Sequence, residues 1–319
     1  MSENNNIKRI MLVIAYDGTE YAGWQRQDNA VGIQAVIEDA LRELLTGRSP
    51  QAAVCDGRDT GSAGQAADGA RRSVVSGMGG AERPEVHGAS RTDAGVHAYG
   101  NVAVFDTGSS IPAEKFAYAL NSYLPEDIRI LCSEEAEPSF HPRYADSEKT
   151  YQYHILNTDI PLPTMSRYAH HIYGHLNVDA MRAAASALIG EHDFTSFCAA
   201  GSQVKSKVRT IYEITIEETP IYGEYMTDQE WADGSDESSK KQENEYVTPD
   251  YDKNICIRIT GNGFLYNMVR IIAGTLIDVG LGRRSVDSVA EALLARDRSK
   301  AGPTAPARGL FLEGITFFD

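Results

Sequence analysis

Apolar positions along the chain change period several times, and each change marks an element. Residues 9–15 form an almost unbroken β-branched run that stops at Asp17-Gly18. A run of this length bounded by a turn pair predicts a buried strand. From Ile33 the spacing becomes helical through Val36, Ile37, Ala40, Leu41, Leu44 and Leu45, with Gly47 as the stop. Val102, Val104 and Phe105 predict a strand after Gly100, and 113–123 a helix. Tyr151, Tyr153 and Ile155 alternate with Gln152 and His154, a strand pattern. Val178, Met181, Ala185, Leu188 and Ile189 predict a helix ending at Gly190. Ile211, Ile214 and Ile216 belong to a strand, and the strict alternation of Ile255, Ile257 and Ile259 predicts another with one buried face. Residues 264–279 read as a long central helix, apolar on both faces. A further helix starts near Ser285, and Phe311 to Phe318 closes the chain as a strand. This order predicts an α+β fold with mixed sheets, whose two halves could share a topology.

Two stretches break the pattern. Residues 48–84 are dense in Gly, Ser and Ala, with too few large apolar groups to offset the entropy of ordering them. Residues 222–252 are acidic and polar. Both read as insertions of solvated surface. The length, 319 residues, suggests about two domains. They are placed at 1–138 and 139–319, each carrying one insertion. Apolar residues make up 42% and charged residues 24%, which excludes a wholly disordered or fibrous chain. No run of 18 apolar residues exists, so no membrane helix is expected. The N-terminus lacks the apolar core of a signal peptide. The four cysteines are far apart, without a C-x-x-C pair. That fits a reducing cytoplasm and argues against a zinc ribbon or disulfide framework.

The net charge of −15 disfavours a polyanionic partner. Yet residues 217–252 alone hold twelve acids against two bases, so the remainder carries only −5. Bulk charge therefore says little about any one cleft.

The densest chemistry lies at 88–98, Gly-Ala-Ser-Arg-Thr-Asp-Ala-Gly-Val-His-Ala. Small residues let backbone approach a ligand closely, and a loop leading into a strand is a common place for a site. By residue type alone, Asp93 is either a turn former or a catalytic carboxylate. Trp24 reads as core, and Arg26 as either a contact to a bound partner or a packing residue. His170, His171 and His175 lack a cysteine or paired carboxylate at ligand spacing, so no metal is expected. Gly261-x-Gly263 is too short for a dinucleotide fingerprint.

The 88–98 segment resembles the catalytic loop of the tRNA pseudouridine synthase A family. Five more blocks follow in the family's order: Tyr16-Asp17-Gly18-Thr19 through Gly23-Trp24-Gln25-Arg26-Gln27; Phe140-His141-Pro142-Arg143-Tyr144 with Lys149-Thr150-Tyr151-Gln152-Tyr153; Gly190 to Phe197; Asn262 to Arg270; and Gly309-Leu310-Phe311-Leu312. Together they span nearly all of the chain outside the two insertions.

The resemblance implies the pseudouridine synthase fold, with similar halves around a central cleft. It implies isomerisation of uridine to pseudouridine in the anticodon stem-loop of tRNA, at tRNA positions 38–40, without cofactor or metal. It implies a homodimer whose basic cleft one tRNA crosses. By the same resemblance Asp93 is the nucleophilic carboxylate. Arg270 pairs with it and would lower its pKa, and Tyr151 stacks on the target uracil. Arg91 fills the place of the extruded base. Arg26, His97 and Arg143 are further RNA-contact candidates, with His97 either structural or touching RNA. Ser90 stands where many relatives have Gly. The acidic insertion is expected to project away from the RNA path, since it would repel phosphate. Two rival readings remain open: a silent tRNA-binding factor, and a synthase acting on other uridines.

Overall fold

The computed structural model describes residues 7–47, 83–202, 204–221 and 252–318. The two predicted insertions fall almost wholly outside these residues. The first half runs β1 (Lys8–Tyr16), α1 (Ile33–Leu45), β2 (His87–Gly88), β3 (His97–Thr107), α2 (Phe116–Asn121) and β4 (Ile128–Ala136). The second runs β5 (Ser147–Asn157), β6 (His170–Ile172), α3 (Val178–Ala185), β7 (Gly190–Asp193), β8 (Val208–Pro220), β9 (Lys253–Gly261), α4 (Met268–Gly280), α5 (Ser288–Ala295) and β10 (Leu310–Phe317). All ten strands join one mixed sheet in the order β4-β1-β3-β10-β5-β9-β8-β7, with β2 added to β3 and β6 to β5.

The halves are built alike. In the first, β1 lies between its antiparallel neighbours β3 and β4. In the second, β5 lies between its antiparallel neighbours β9 and β10. Helices intervene at corresponding places: α1 and α2 in one half, α3 and α4 in the other. The halves meet where β10 pairs with β3 in parallel, over only Phe311 opposite His97 and Leu312 opposite Ala98. This short seam places the ends of both halves side by side, and the candidate site forms there.

Local sequence explains most elements. Along β1 every second residue is buried, so Ile10, Leu12 and Ile14 face the core. Gly47 follows α1 with φ +68°, a conformation open to glycine at little steric cost. Asn177 caps α3 by accepting from the Ala180 N–H at 2.9 Å.

Several boundaries differ from expectation. The helix predicted over 264–279 begins at Met268, because Gly263 (φ +146°) and Asn267 (φ +58°) hold the preceding residues in an irregular turn. The α4 helix is buried on nearly every side, as its all-round apolarity implies. The helix predicted over 113–123 divides into a 3-10 turn at Ala113–Lys115 followed by α2. Gly190 (φ +107°) opens β7 instead of closing a helix; α3 ends at Ala185 and a 3-10 turn covers Ser186–Leu188. Strand β3 begins at His97, ahead of Gly100, and β4 was not anticipated.

Candidate active site

The loop between β2 and β3 is fastened along its length. Asn101 clamps Ser90 from both sides: its Oδ1 accepts from the Ser90 N–H at 3.3 Å, and its Nδ2 donates to the Ser90 carbonyl at 3.1 Å. The Thr92 hydroxyl meets the Tyr16 hydroxyl at 2.7 Å. The Thr92 carbonyl accepts from the Trp24 N–H at 3.0 Å. Gly23 (φ +93°) lies so close that an added Cβ would sit 2.5 Å from the Thr92 oxygen. The Gly23-Trp24 block is thus the shelf on which the loop rests, and Trp24 itself is core, 2% exposed.

These anchors hold backbone and neighbouring side chains while the Asp93 carboxylate points at α4. Asp93 Oδ2 lies 3.6 Å from Arg270 Nη1, a buried-edge ion pair longer than a hydrogen bond. Arg270 is itself positioned: Nε donates to the Ala305 carbonyl at 2.7 Å, and Nη1 to Asn267 Oδ1 at 2.8 Å. The turn before α4 therefore orients the arginine. Arg270 lowers the Asp93 pKa, as expected, yet the net shift is upward. Burial raises that pKa above the ordinary value, and the attraction of Arg270 offsets only part of the rise.

Tyr151 on β5 is buried, with the Phe264 ring edge-on at 5.2 Å. Its hydroxyl meets Ser90 Oγ at 2.7 Å. Burial first, and the charge of Asp93 second, push its phenol up to about 12. At neutral pH the phenol keeps its proton, so it is a donor and a flat apolar face, not a base.

Asp93, Tyr151 and Arg91 line one open cavity of about 850 Å³, together with Arg143, Lys149 and Tyr266. That size suits a nucleotide with part of its backbone. Arg91 and Arg143 make no side-chain hydrogen bond or ion pair to another described residue. Burial and the charge of Arg143 depress the Arg91 pKa. Lys149 donates to the Ala89 carbonyl at 2.8 Å; burial, with Arg143 and Arg209 nearby, brings its amine down to about 8. Arg91 and Arg143, without an ion pair among the described residues, are what a phosphate backbone would satisfy.

Two RNA-contact candidates lie elsewhere. Arg26 pairs at 3.2 Å with Glu38, a buried carboxylate on α1, while its neighbours Gln25 and Gln27 line the cavity. His97 is 1% exposed, stacks on Phe311 at 4.5 Å, and contacts the Gly18 N–H and the Arg167 carbonyl. Burial lowers its pKa, which favours a neutral ring bridging loop and seam. Sequence reasoning missed Lys149 and Asn101 as site residues. Asn101, a polar residue inside the apolar run of β3, was the available signal. Among the described residues no group of three potential metal ligands forms, and no helix is long and apolar enough to cross a membrane.

The chain is similar to known proteins over most of its length. A family model described as tRNA pseudouridine synthase matches residues 12–145 and 184–317, which include Asp93 and Arg270; Tyr151 lies between the two matched spans. The tRNA pseudouridine synthase A of Thermoanaerobacter sp. (strain X514) is 40% identical over 311 residues, 98% of this chain and 100% of that protein. The protein of the same name from Ruminiclostridium cellulolyticum is also 40% identical over 311 residues. That of Bacillus subtilis (strain 168) is 39% identical over 309 residues, 97% of this chain and 99% of its own length. With an aspartate loop, an arginine and a tyrosine meeting at the seam of two like halves, and relatives matched from end to end, the chain belongs to the tRNA pseudouridine synthase family.

Proposed function

We propose that this protein isomerises uridine to pseudouridine in tRNA, within the anticodon stem-loop, with Asp93 as the carboxylate that acts at the sugar carbon. The observation that carries the reading is the Asp93–Arg270 pair at 3.6 Å, set beside Tyr151 in a cavity lined by Arg91, Arg143 and Lys149. Asp93 supplies a nucleophile or charge stabiliser as the bond from C1′ to N1 breaks. The freed uracil turns against the Tyr151 face, and a C1′–C5 bond forms. C5 loses a proton and N1 gains one, so the reaction is balanced without an added reagent. A base inside a stem must first leave it, at a cost of a few kcal/mol. Arg91, at the cavity edge, fits the vacated place by its planar guanidinium, and Arg143 fits the flanking phosphate. The chemistry asks for no cofactor.

The reading includes a homodimer in the cytoplasm, each subunit divided into domains spanning 1–138 and 139–319. Its support is the outward row of β1, where Met11 and Val13 are only half-buried, continued by Leu131 at 58% exposure. Such apolar surface fits a partner, and sedimentation at micromolar concentration checks it. The deciding experiment is pseudouridine mapping on unmodified tRNA incubated with the purified protein. Pseudouridine confined to the anticodon stem-loop is expected. A folded sample that binds tRNA and leaves every uridine unchanged would make the protein a silent RNA-binding factor instead. Modification outside that stem-loop would make it a synthase of other uridines.

A further inference from the structure

Asn267 stands at the start of α4 and lines the cavity that Asp93 also lines. Two local rules are set aside at this one residue. Its backbone is left-handed, with φ +58°, a region that few side chains other than Asn and Asp enter. An asparagine at a helix start ordinarily accepts from the exposed N–H groups of the first turn, yet the Asn267 side chain makes no such bond. Its amide oxygen is turned to Arg270, which donates from Nη1 at 2.8 Å. A guanidinium only donates, so the oxygen and not the amide nitrogen must face it. Nε of the same arginine donates to the Ala305 carbonyl at 2.7 Å, and the Ala305 N–H returns a bond to the Arg270 carbonyl at 3.0 Å. Two nitrogens of the guanidinium are thus held by neutral acceptors. The nitrogen bonded to Asn267 is the one that faces Asp93, and it stops 3.6 Å from Oδ2. An unrestrained arginine beside a carboxylate closes to about 2.8 Å, often through both arms of its fork. Local rules set aside at one position mark a site kept for function.

We propose that Asn267 is a positioning residue for the isomerisation, holding the Arg270 guanidinium off Asp93 so that the carboxylate keeps its lone pairs free for the sugar carbon. This rests on the assignment of Asp93 above and deepens it. At 3.6 Å the arginine still attracts the carboxylate, but no hydrogen bond occupies the oxygen that has to act. A closed pair would give that oxygen a strong donor, which the attack would first have to break. Lys149 and Tyr151 from β5, Arg143 from the loop before it, Tyr266 from the turn before α4, and Arg91 on the Asp93 loop line the same cavity. Among the described residues the ion pair of Asp93 is with Arg270, so the distance that Asn267 sets is the one that governs the carboxylate.

The test compares two variants in single-turnover pseudouridine formation across pH, with tRNA binding measured alongside. Asn267→Gly keeps a residue suited to positive φ and gives up no cap bond, so the fold is retained, which a melting curve checks. It frees Arg270 Nη1 to close on Asp93. The plateau rate should fall about tenfold, the size of one misplaced hydrogen bond, while the tRNA Kd stays within about twofold. A hydrogen bond from the arginine favours the ionised carboxylate, so the acid limb of the rate should move to lower pH. Asn267→Asp keeps the acceptor and tolerates the left-handed backbone. It holds Arg270 away and adds a negative charge near Asp93, so its acid limb should move to higher pH. A merely structural role for Asn267 would leave the limb in place. An unmoved limb or a wild-type rate in Asn267→Gly, or limbs that move the same way in both variants, overturns the proposal. Should the glycine variant fail to fold, the aspartate variant decides alone: an upward limb supports the proposal and an unmoved one overturns it. An inactive wild-type protein would instead overturn the reading of the site on which it rests.

Discussion

At Asp93 two effects oppose each other, and their balance has consequences for both activity and stability. Burial disfavours the carboxylate, Arg270 at 3.6 Å favours it, and burial wins. The acid limb of turnover should therefore lie above the ordinary carboxylate range, read from a pH–rate profile at saturating tRNA. Because the folded pKa exceeds the unfolded one, ionisation opposes folding; the opposition is absent below the unfolded pKa and complete above the folded one. Asp93→Asn should thus abolish pseudouridine formation and leave the melting temperature at pH 7 equal or higher, a pairing typical of sites that trade stability for function. A lower melting temperature would show that the ion pair outweighs burial. Lys149 presents the opposite sign. Its amine, at about 8 in the free protein, is charged at a cost, and that cost falls away as pH rises from about 8 toward the unfolded value. An RNA phosphate in the cavity would favour the charged form. Affinity for tRNA at constant salt should fall about tenfold between pH 7 and pH 9, the size of one charge-assisted contact, and Lys149→Gln should flatten that dependence. None of these shifts was legible in the sequence, since each depends on how many atoms surround a group and not on its neighbours along the chain.

The elements that frame the site differ in how openly the sequence declares them. Strands β1, β5 and β9 follow directly from apolar runs and alternation, because each has one face in the core. Helix α4 was visible from its apolarity, but its first turn was not. Asn267 takes a left-handed conformation there and gives Arg270 its orientation, an arrangement with no hydrophobic signature. Strand β4 escaped notice because Cys132, Glu134 and Glu135 interrupt its apolar positions, and tertiary contacts, pairing with β1 and bonds to α2, order it. The Asp93 loop stood out through resemblance, whereas its support did not: Gly23 lies about seventy residues away in sequence and touches it only in the fold. That contact makes a sharp prediction. Gly23→Ala places a Cβ against the Thr92 carbonyl at a positive φ, and should cost about 3 kcal/mol in urea unfolding. Pseudouridine formation should fall more than tRNA binding does, because the atoms met belong to Thr92, Asp93 and Ala94 and not to Arg143 or Lys149. Unchanged turnover in Gly23→Ala would show that the loop does not depend on this shelf.

On the scale of the whole molecule, a chain of net charge −15 has to receive a polyanion. The topology suggests how. Strands β8 and β9 form a hairpin whose open end, Ile211 opposite Gly261, leads to the turn that holds Arg270. Its other end, Pro220 opposite Lys253, is where the acidic segment joins. The eight steps from Lys253 to Gly261 separate the two by about 27 Å along β9. Residues 222–251 carry nine acids against two bases, and the strand ends that flank them lie several Debye lengths from the site at physiological salt, where that length is about 8 Å. The bulk charge is therefore a poor guide to the partner. Replacing 222–251 by a two-residue Asn-Gly turn, which suits a hairpin, should leave single-turnover pseudouridine formation and the tRNA Kd within about twofold at 0.15 M salt. At 0.01 M salt the Debye length grows to about 30 Å, and there the shortened protein should bind tRNA more tightly than the full chain. Loss of binding at both salt concentrations in a folded variant would mean that the acidic segment contributes to the RNA path, and that charge sorting along β9 is not how this molecule admits its substrate.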